Sequence, residues 1–225
     1  MRYTKYSFRD LEKQDEYMWD AFDFDLSLNQ MIPNRTITPL FNKYLNDGDK
    51  ILEGGCGNGA WVQYLNNKGY DCVGIDINEA ILDVAKKENL NILKDDILNM
   101  SFPDNHFHAY LSLGVIEHWE EGPQKAIAEA YRVIKPGGYF FVSTPCNHLI
   151  RKLFNHPLRD FVNIFYKILG RELHFVEYRF ERHELKQFMR DGGFDVVETL
   201  PNDYKMESNE YSFGMYTDWP WLRDR

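Results

Sequence analysis

The stretch Ile51-Leu-Glu-Gly-Gly-Cys-Gly-Asn-Gly-Ala-Trp61 joins a short apolar run to a loop in which four of six residues are glycine. It predicts a buried strand, a tight turn and then a helix from about Asn58. Glycine loses more conformational entropy on folding than other residues, so such a loop favours a ligand site over a plain turn. The glycines would let backbone N–H groups approach a ligand, and the positive end of the helix would point at the same place.

A second signal follows at Gly74-Ile-Asp-Ile-Asn78, where Asp76 ends the next apolar run. A carboxylate at this point can accept hydrogen bonds from both hydroxyls of a ribose. The two stretches together predict a nucleotide site. Because the loop also fits the G-x-G-x-x-G/A pattern of dinucleotide-binding domains, these stretches alone leave open which nucleotide binds.

The bulk composition points to one domain over 1–225 that acts on small molecules. The 225 residues are 44% hydrophobic and 16% aromatic, enough for one sizeable core. A net charge of -9 argues against nucleic acid as a partner. Cys56, Cys72 and Cys146 form no C-x-x-C pair and predict reduced thiols in a cytoplasmic protein. No stretch approaches the length needed to cross a bilayer.

Strand and helix patterns alternate from Lys50 onward, which predicts an α/β fold: a Rossmann-like, doubly wound, mostly parallel seven-stranded sheet with helices on both faces. An N-terminal helical segment over 1–46 should pack on the sheet, and an inserted helical cap is expected over about 146–180. The expected strands are 50–54, 71–76, 90–94, 107–113, 138–144, 194–200 and an edge strand near 211–216; the expected helices are 34–45, 58–68, 78–88, 121–134 and 181–191.

Ligands on such a sheet bind beyond the carboxyl ends of the strands. The candidate residues at these ends are Glu53, Asp76, Asp96 and Gly114. The turn Lys135-Pro-Gly-Gly138 should end a helix at proline and reverse the chain at glycine.

Five motifs in order resemble the class I S-adenosylmethionine-dependent methyltransferases, over roughly residues 36–200. They are Glu53-Gly-Gly-Cys-Gly-Asn-Gly59, Gly74-Ile-Asp76, Lys94-Asp-Asp-Ile-Leu98, Leu111-Ser-Leu-Gly-Val-Ile-Glu-His118 and Arg132-Val-Ile-Lys-Pro-Gly-Gly138. The resemblance implies S-adenosyl-L-methionine as cofactor and S-adenosyl-L-homocysteine as product. It also implies that the chain is an enzyme.

The resemblance further implies a role for each matching position around the cofactor. Glu53 would reach its amino group, Gly55, Cys56 and Gly57 would pass beside its methionine portion, Asp76 would hold the ribose, Ile77 would pack on the adenine, Asp96 and Ile97 would face the adenine edge, and Leu113 and Gly114 would lie under the sulfonium. Asp95 could trade places with Asp96. Two positions depart from the family pattern: His108 replaces an acidic residue, and Gly54 replaces an aliphatic one and should loosen the strand end.

Methyl transfer from a sulfonium needs alignment of the acceptor and exclusion of water more than a nucleophile on the protein. The expected acceptor is a small molecule, with oxygen favoured over nitrogen or carbon. His118 is the candidate general base, with capping of the next helix as the alternative. A catalytically silent cofactor-binding regulatory module and a nicotinamide-dependent oxidoreductase remain the competing functions.

The segment 148–171 is basic and amphipathic within an acidic chain. Such a lid could make peripheral contact with anionic lipid or hold an apolar acceptor, loosely like quinone-biosynthesis methyltransferases; alternatively its apolar face covers its own pocket. No metal site is expected, because His148, His156, His174 and His183 lack ligand spacing. A monomer or homodimer is expected. The aromatic residues Tyr17, Trp19, Phe22 and Phe24 could line the acceptor pocket or be core.

Overall fold

A computed structural model describes residues 2–7, 24–79, 88–147, 149 and 151–200. Its centre is a five-stranded sheet in the order β4-β3-β2-β5-β6, in which every pairing is parallel. The strands are β1 (Tyr3–Ser7), β2 (Lys50–Gly54), β3 (Asp71–Asp76), β4 (Ile92–Lys94), β5 (Phe107–Leu113), β6 (Ile134–Ser143) and β7 (His174–Arg179). The predicted doubly wound α/β architecture is therefore confirmed.

Six helices accompany the strands in the described residues. They are α1 (Phe24–Leu26), α2 (Thr38–Tyr44), α3 (Ala60–Asn67), α4 (Gln124–Val133), α5 (His156–Ile168) and α6 (Arg182–Asp191). Shorter turns of other helix types cover Ser27–Met31, Ile32–Asn34, Ile116–His118 and Arg151–Asn155. The predicted helix 181–191 is confirmed, and those predicted over 34–45, 58–68 and 121–134 exist with shorter bounds.

The central strands are buried on both faces because successive side chains point to opposite sides of the sheet. Ile51 packs into one core with α2 and α3, and Leu52 packs into a second core with α4 and α6. Both side chains are fully buried, and each contributes on the order of 2 kcal/mol to folding. The two cores hold the sheet rigid and fix the position of its carboxyl edge.

The turn Lys135-Pro-Gly-Gly138 lies at the start of β6. Helix α4 ends at Val133, as the proline predicts. The pairing then shifts from Phe107–Ile134 to Ala109–Tyr139, so the four residues bulge out of the strand instead of reversing the chain. Gly138 is required there, since a Cβ would stand 2.6 Å from the carbonyl oxygen of His108.

The prediction of seven strands in one sheet is not confirmed, because the central sheet has five strands within the described residues. Residues 194–200 pair with no strand, although Phe194 and Val196 still pack against the second core. Burial of alternating side chains there mimics a strand pattern without backbone pairing. The predicted edge strand near 211–216 lies outside the described residues, as does most of the predicted helix 78–88.

A separate two-stranded antiparallel sheet forms between β1 and β7, with Tyr3 opposite Arg179. It corrects the expectation of an all-helical segment 1–46 and of an all-helical cap. Strand pairing across about 170 residues leaves no local pattern in the sequence. Helix α5 rests on this sheet, where the Tyr3 ring stacks on the His156 ring at 3.5 Å and the Tyr3 hydroxyl donates to Asp160 at 2.6 Å.

No helix within the described residues is long and apolar enough to span a membrane.

Candidate active site

The carboxyl ends of β2, β3, β4 and β5 lie side by side and form one edge of the sheet. The structure brings all the candidate cofactor residues to this edge, because each ends or follows one of these strands. They are Glu53, Gly55, Cys56, Gly57, Asp76, Ile77, Asp96, Ile97, Leu113 and Gly114. His118 follows in the turn after β5, beside the same edge.

The backbone of the glycine loop is bound to β3. The N–H groups of Gly55 and Cys56 both donate to the carbonyl of Ile75, at 2.9 and 3.0 Å, and the N–H of Gly57 donates to Asp76 Oδ2 at 3.1 Å. The expectation that these N–H groups face a ligand is therefore wrong. They fix the shape of the loop instead.

Glycine is required at position 55 by conformation and by space. Its φ of +70° lies in the left-handed region, and a Cβ would stand 2.7 Å from both methyl groups of Val115. The loop can therefore pass close to the segment that follows β5. This close approach narrows the edge where the methionine portion of the cofactor is expected.

Glu53 is a buried carboxylate, with 4% of the residue exposed. Its Oε2 has no hydrogen-bond partner. Burial raises its pKa well above the usual range, and the neighbouring Asp76 adds to this, while the backbone N–H of Val62 lowers it. An unpartnered carboxylate of this kind suits a ligand that carries an ammonium group.

Asp76 is held in place by two backbone donors. Gly57 N–H binds its Oδ2, and Asn78 N–H binds its Oδ1 at 2.9 Å. Each oxygen keeps a further lone pair for a hydroxyl group. The side chain is therefore pre-oriented at the strand end, as the ribose-binding role requires.

Asp95 and Asp96 have different environments. Asp95 uses both oxygens on the following turn: Oδ1 accepts from Asp96 N–H, and Oδ2 accepts from the N–H and hydroxyl of Ser101. Asp96 accepts from Leu98 N–H through Oδ1. These contacts favour Asp96 for the ligand and give Asp95 a structural role.

Two isoleucines flank the expected adenine position. Ile77 is 65% exposed directly after β3, so its apolar surface is open to a planar ring. Ile97 is 4% exposed and belongs to the second core.

Gly54 does not loosen the end of β2, contrary to the expectation from its departure from the family pattern. A Cβ on Gly54 would stand 1.9 Å from the hydroxyl oxygen of Tyr110, on the neighbouring strand β5. Tyr110 is fully buried and fills the space that an aliphatic residue would take. The second departure, His108, lies at the opposite edge, where its Nδ1 accepts the Lys50 N–H at 2.8 Å.

The ring orientation of His118 follows from one contact. Its Nδ1 lies 2.9 Å from the carbonyl oxygen of Val176 in β7. Because a carbonyl only accepts, Nδ1 must carry the hydrogen, and the neutral ring then has its lone pair on Nε2. His118 is exposed, so this lone pair is available to a ligand. A general base needs this tautomer.

Glu117, the residue before His118, is a further site candidate. The residue is 1% exposed, its Oε2 has no partner, and its Oε1 lies 3.7 Å from where a Cβ would stand on Gly114. Burial raises its pKa to about 8, with a smaller contribution from Glu177. The sequence around Glu117 does not indicate this burial, because the strand that covers the turn, β7, belongs to a distant part of the chain.

Cys56 is not a nucleophile. It is buried, and burial raises the pKa of its thiol, as do the carboxylates of Glu53 and Asp76. Its Sγ would stand 2.8 Å from a Cβ on Gly74, so the thiol packs the loop against β3. Among the described residues, no three His, Cys, Asp or Glu side chains cluster as a metal site would need.

Comparison with known proteins agrees with this geometry. A family model described as a methyltransferase domain, Methyltransf_11, matches residues 52–142, which run from β2 into β6 and contain the whole edge. A ubiquinone biosynthesis O-methyltransferase of Coxiella burnetii is 26% identical over 193 residues, covering 81% of each chain. The methyltransferase domain over residues 52–142 and this relative support a class I S-adenosylmethionine-dependent methyltransferase.

Other methyltransferases share parts of the sequence or the fold. An eEF1A lysine and N-terminal methyltransferase of Bos taurus is 31% identical over 137 residues, 54% of this chain and 20% of that protein. A solved S-adenosylmethionine-dependent methyltransferase of Methanosarcina mazei has a TM-score of 0.60 and 25% identity, over 77% of this chain and 92% of that one. One from Archaeoglobus fulgidus, at TM-score 0.59 and 18% identity, covers 84% and 76% and shows the same fold.

The edge of this methyltransferase fits S-adenosylmethionine. Glu53 offers an unpartnered buried carboxylate for the amino group, and Asp76 offers two oriented oxygens for the ribose. When bound, the cofactor supplies a methyl group on an already electrophilic sulfonium. The protein's own task is to bind, orient and exclude water at this edge.

Proposed function

We propose that this methyltransferase methylates a hydroxyl group of a small-molecule acceptor, with His118 as the general base. The contact of His118 Nδ1 with the Val176 carbonyl carries the proposal, because in the neutral ring it places the lone pair on Nε2 of an exposed side chain. An acceptor hydroxyl placed there would give its proton to Nε2, while the cofactor, held by Glu53 and Asp76, would supply the methyl group to the oxygen and leave as S-adenosylhomocysteine. The likeness to a ubiquinone biosynthesis O-methyltransferase supports an oxygen acceptor.

The variant His118→Asn tests the base. Its amide N–H can still donate to the Val176 carbonyl, but it has no basic lone pair. We expect kcat on a phenolic acceptor to fall about 10²–10⁴-fold, with the Kd of S-adenosylhomocysteine unchanged. His183→Asn, an exposed histidine on α6, is the matched control and should keep full kcat. An unchanged kcat in His118→Asn would exclude the base role.

The acceptor class is tested with a panel of phenols, amines, carbon acids and peptides. Methyl transfer to a phenolic oxygen is the expected result. Transfer to a peptide amine instead would favour the protein-directed activity in the name of the Bos taurus relative. Tight cofactor binding without turnover on the whole panel would favour a silent regulatory module.

Two further features belong to the proposal. A cytoplasmic location is supported by the free thiols of Cys56, Cys72 and Cys146. Small molecules are favoured over nucleic acid as partners by the net charge of -9. Cell fractionation tests the location, and an electrophoretic mobility-shift assay at low salt tests for nucleic-acid binding.

A further inference from the structure

Helix α5 has the opposite orientation to an ordinary surface helix, which buries its apolar side and exposes its polar side. Its polar side faces the protein: His156 is buried, and Arg159, Asn163 and Tyr166 are half-buried. Its apolar side faces outward. The exposed fractions are 47% for Leu158, 69% for Phe161, 60% for Ile164, 55% for Phe165 and 77% for Ile168.

The outward residues form one continuous stripe. At about 100° per residue, they and Leu169 occupy an arc of about 140° on the helix. Leu153 and Phe154, before the helix, add side chains that are 59% and 70% exposed. We call this surface the cap patch. Its side chains are exposed, whereas a face that covers its own pocket would be buried.

The inward face of α5 is fixed by specific contacts. His156 stacks on Tyr3, and Asp160 accepts the Tyr3 hydroxyl. Below them lies the buried pair of Glu177 with Lys5 and Arg179. Turning the helix over would remove these polar contacts and bury apolar residues against charged ones. The outward orientation of the cap patch is therefore part of the fold.

The charge around the cap patch is opposite to that of the whole chain. Residues 151–172 carry five cationic side chains against two carboxylates, whereas the chain as a whole carries a net charge of -9. Arg151 is buried, Arg159 lies on the inward face of α5 and Lys152 pairs with Glu181, so these three add little charge to the exposed stripe. Lys167 and Arg171 are exposed at the carboxyl end of α5. An exposed apolar stripe with cations beside it matches helices that lie in the surface of an anionic membrane.

A second copy of the chain fits this surface less well. A two-fold interface through the cap patch would bury Lys167 and Arg171 of both copies in the same interface, and desolvating like charges there is costly. A contact with the acidic remainder of another copy would be heterologous and would build rings or filaments instead of a simple dimer.

We propose that the cap patch docks this methyltransferase on an anionic membrane surface, with α5 lying in the interface. Phe161 and Ile168 enter the boundary between headgroups and acyl chains, while Lys167 and Arg171 remain at the level of the headgroups. No covalent step is involved. The docking is independent of whether the site methylates oxygen.

Vesicle flotation of the full chain tests the proposal. We expect binding to phosphatidylcholine vesicles that contain phosphatidylglycerol, and release as the salt concentration rises. The double variant Phe161→Ser/Ile168→Ser should lower the partition coefficient at least about tenfold. Val197→Ser is the matched control, since Val197 is 68% exposed outside the cap patch and should bind like the wild type.

A charge variant separates the electrostatic contribution to vesicle binding from the apolar contribution. Lys167→Glu/Arg171→Glu should lower binding to anionic vesicles about tenfold or more. Because these residues are exposed, thermal melts of all variants should match the wild type. Any of three results would overturn the proposal. The wild type does not bind vesicles, or it binds pure phosphatidylcholine equally well, or it forms a dimer that Phe161→Ser dissociates without any vesicle binding.

Discussion

Two regions of the molecule contain buried charged residues but are built in different ways. One is the cofactor edge, with Glu53 and Asp76. The other, which we call the anchor, is the group of Lys5, Glu177 and Arg179 beneath α5. At the edge, Glu53 and Asp76 lie within 25 residues of each other and share one βαβ unit. In the anchor, Lys5 pairs with Glu177 at 3.2 Å across 172 positions of the chain. The edge leaves a carboxylate oxygen without a partner, whereas the anchor pairs its carboxylate with two cations.

This difference shows which charges serve the fold and which await a ligand. Burial opposes ionisation of Glu177, yet Lys5 and Arg179 hold its pKa below the usual range. Burial and Asp76 drive the pKa of Glu53 in the opposite direction. A satisfied buried pair stabilises structure, and an unsatisfied carboxylate costs stability until a cation binds.

Removing the carboxylate of the anchor should have the largest effect. Glu177→Ala leaves Lys5 and Arg179 buried without this partner and should lower the free energy of unfolding by about 3–5 kcal/mol. The Kd of S-adenosylhomocysteine for the folded protein should change less than about threefold, because Glu53 and Asp76 belong to the central sheet and not to β1 or β7. Urea denaturation and calorimetry measure the two quantities, with exposed Glu172→Ala as the control. Parallel loss of cofactor binding would mean that the two regions are one unit.

Asp76→Ala should affect the edge alone. We expect cofactor affinity to fall about 100-fold, since two charge-assisted bonds to the ribose are lost. The Gly57 and Asn78 N–H groups also lose their acceptor, so a modest loss of stability should accompany the variant. Asp71→Ala, at the exposed start of the same strand, is the matched control. Equal affinities in both variants would remove Asp76 from the site.

Glu53→Gln should have a smaller effect that depends on pH. The raised pKa means that the folded state keeps a proton on Glu53 at pH values where the unfolded chain has lost it. Its contribution to stability is therefore present below about pH 4.5 and is lost as the pH rises through the folded pKa. The variant should be more stable than the wild type in alkaline buffer and should bind the cofactor about tenfold more weakly there.

Thermal melts and calorimetry from pH 6 to 9 check this pattern, because burial raises the pKa of Glu53 well above the usual range of a carboxyl group. Wild-type affinity should weaken toward low pH, as Glu53 takes up a proton, and the variant should show a flat profile. A wild type with no pH dependence beyond that of the variant would contradict the role of Glu53.

The same contrast explains what the sequence could predict. The sequence predicts the strands β2, β3 and β5 and the residues at their ends. Each motif is local, and its glycines are needed for the backbone conformation at that point. The pairing of β1 with β7, the burial of Glu117 and the outward face of α5 could not be predicted, since each depends on a contact between distant segments. The role of Tyr110 beside Gly54 was hidden for the same reason, because it joins neighbouring strands that lie far apart in sequence.

Calorimetric titration of the wild-type chain with S-adenosylhomocysteine and, separately, with NAD tests the central claim most directly. The edge built from Glu53, Asp76 and Asp96 should bind S-adenosylhomocysteine one-to-one and leave NAD unbound. Binding of NAD with no heat from S-adenosylhomocysteine or S-adenosylmethionine would contradict the account.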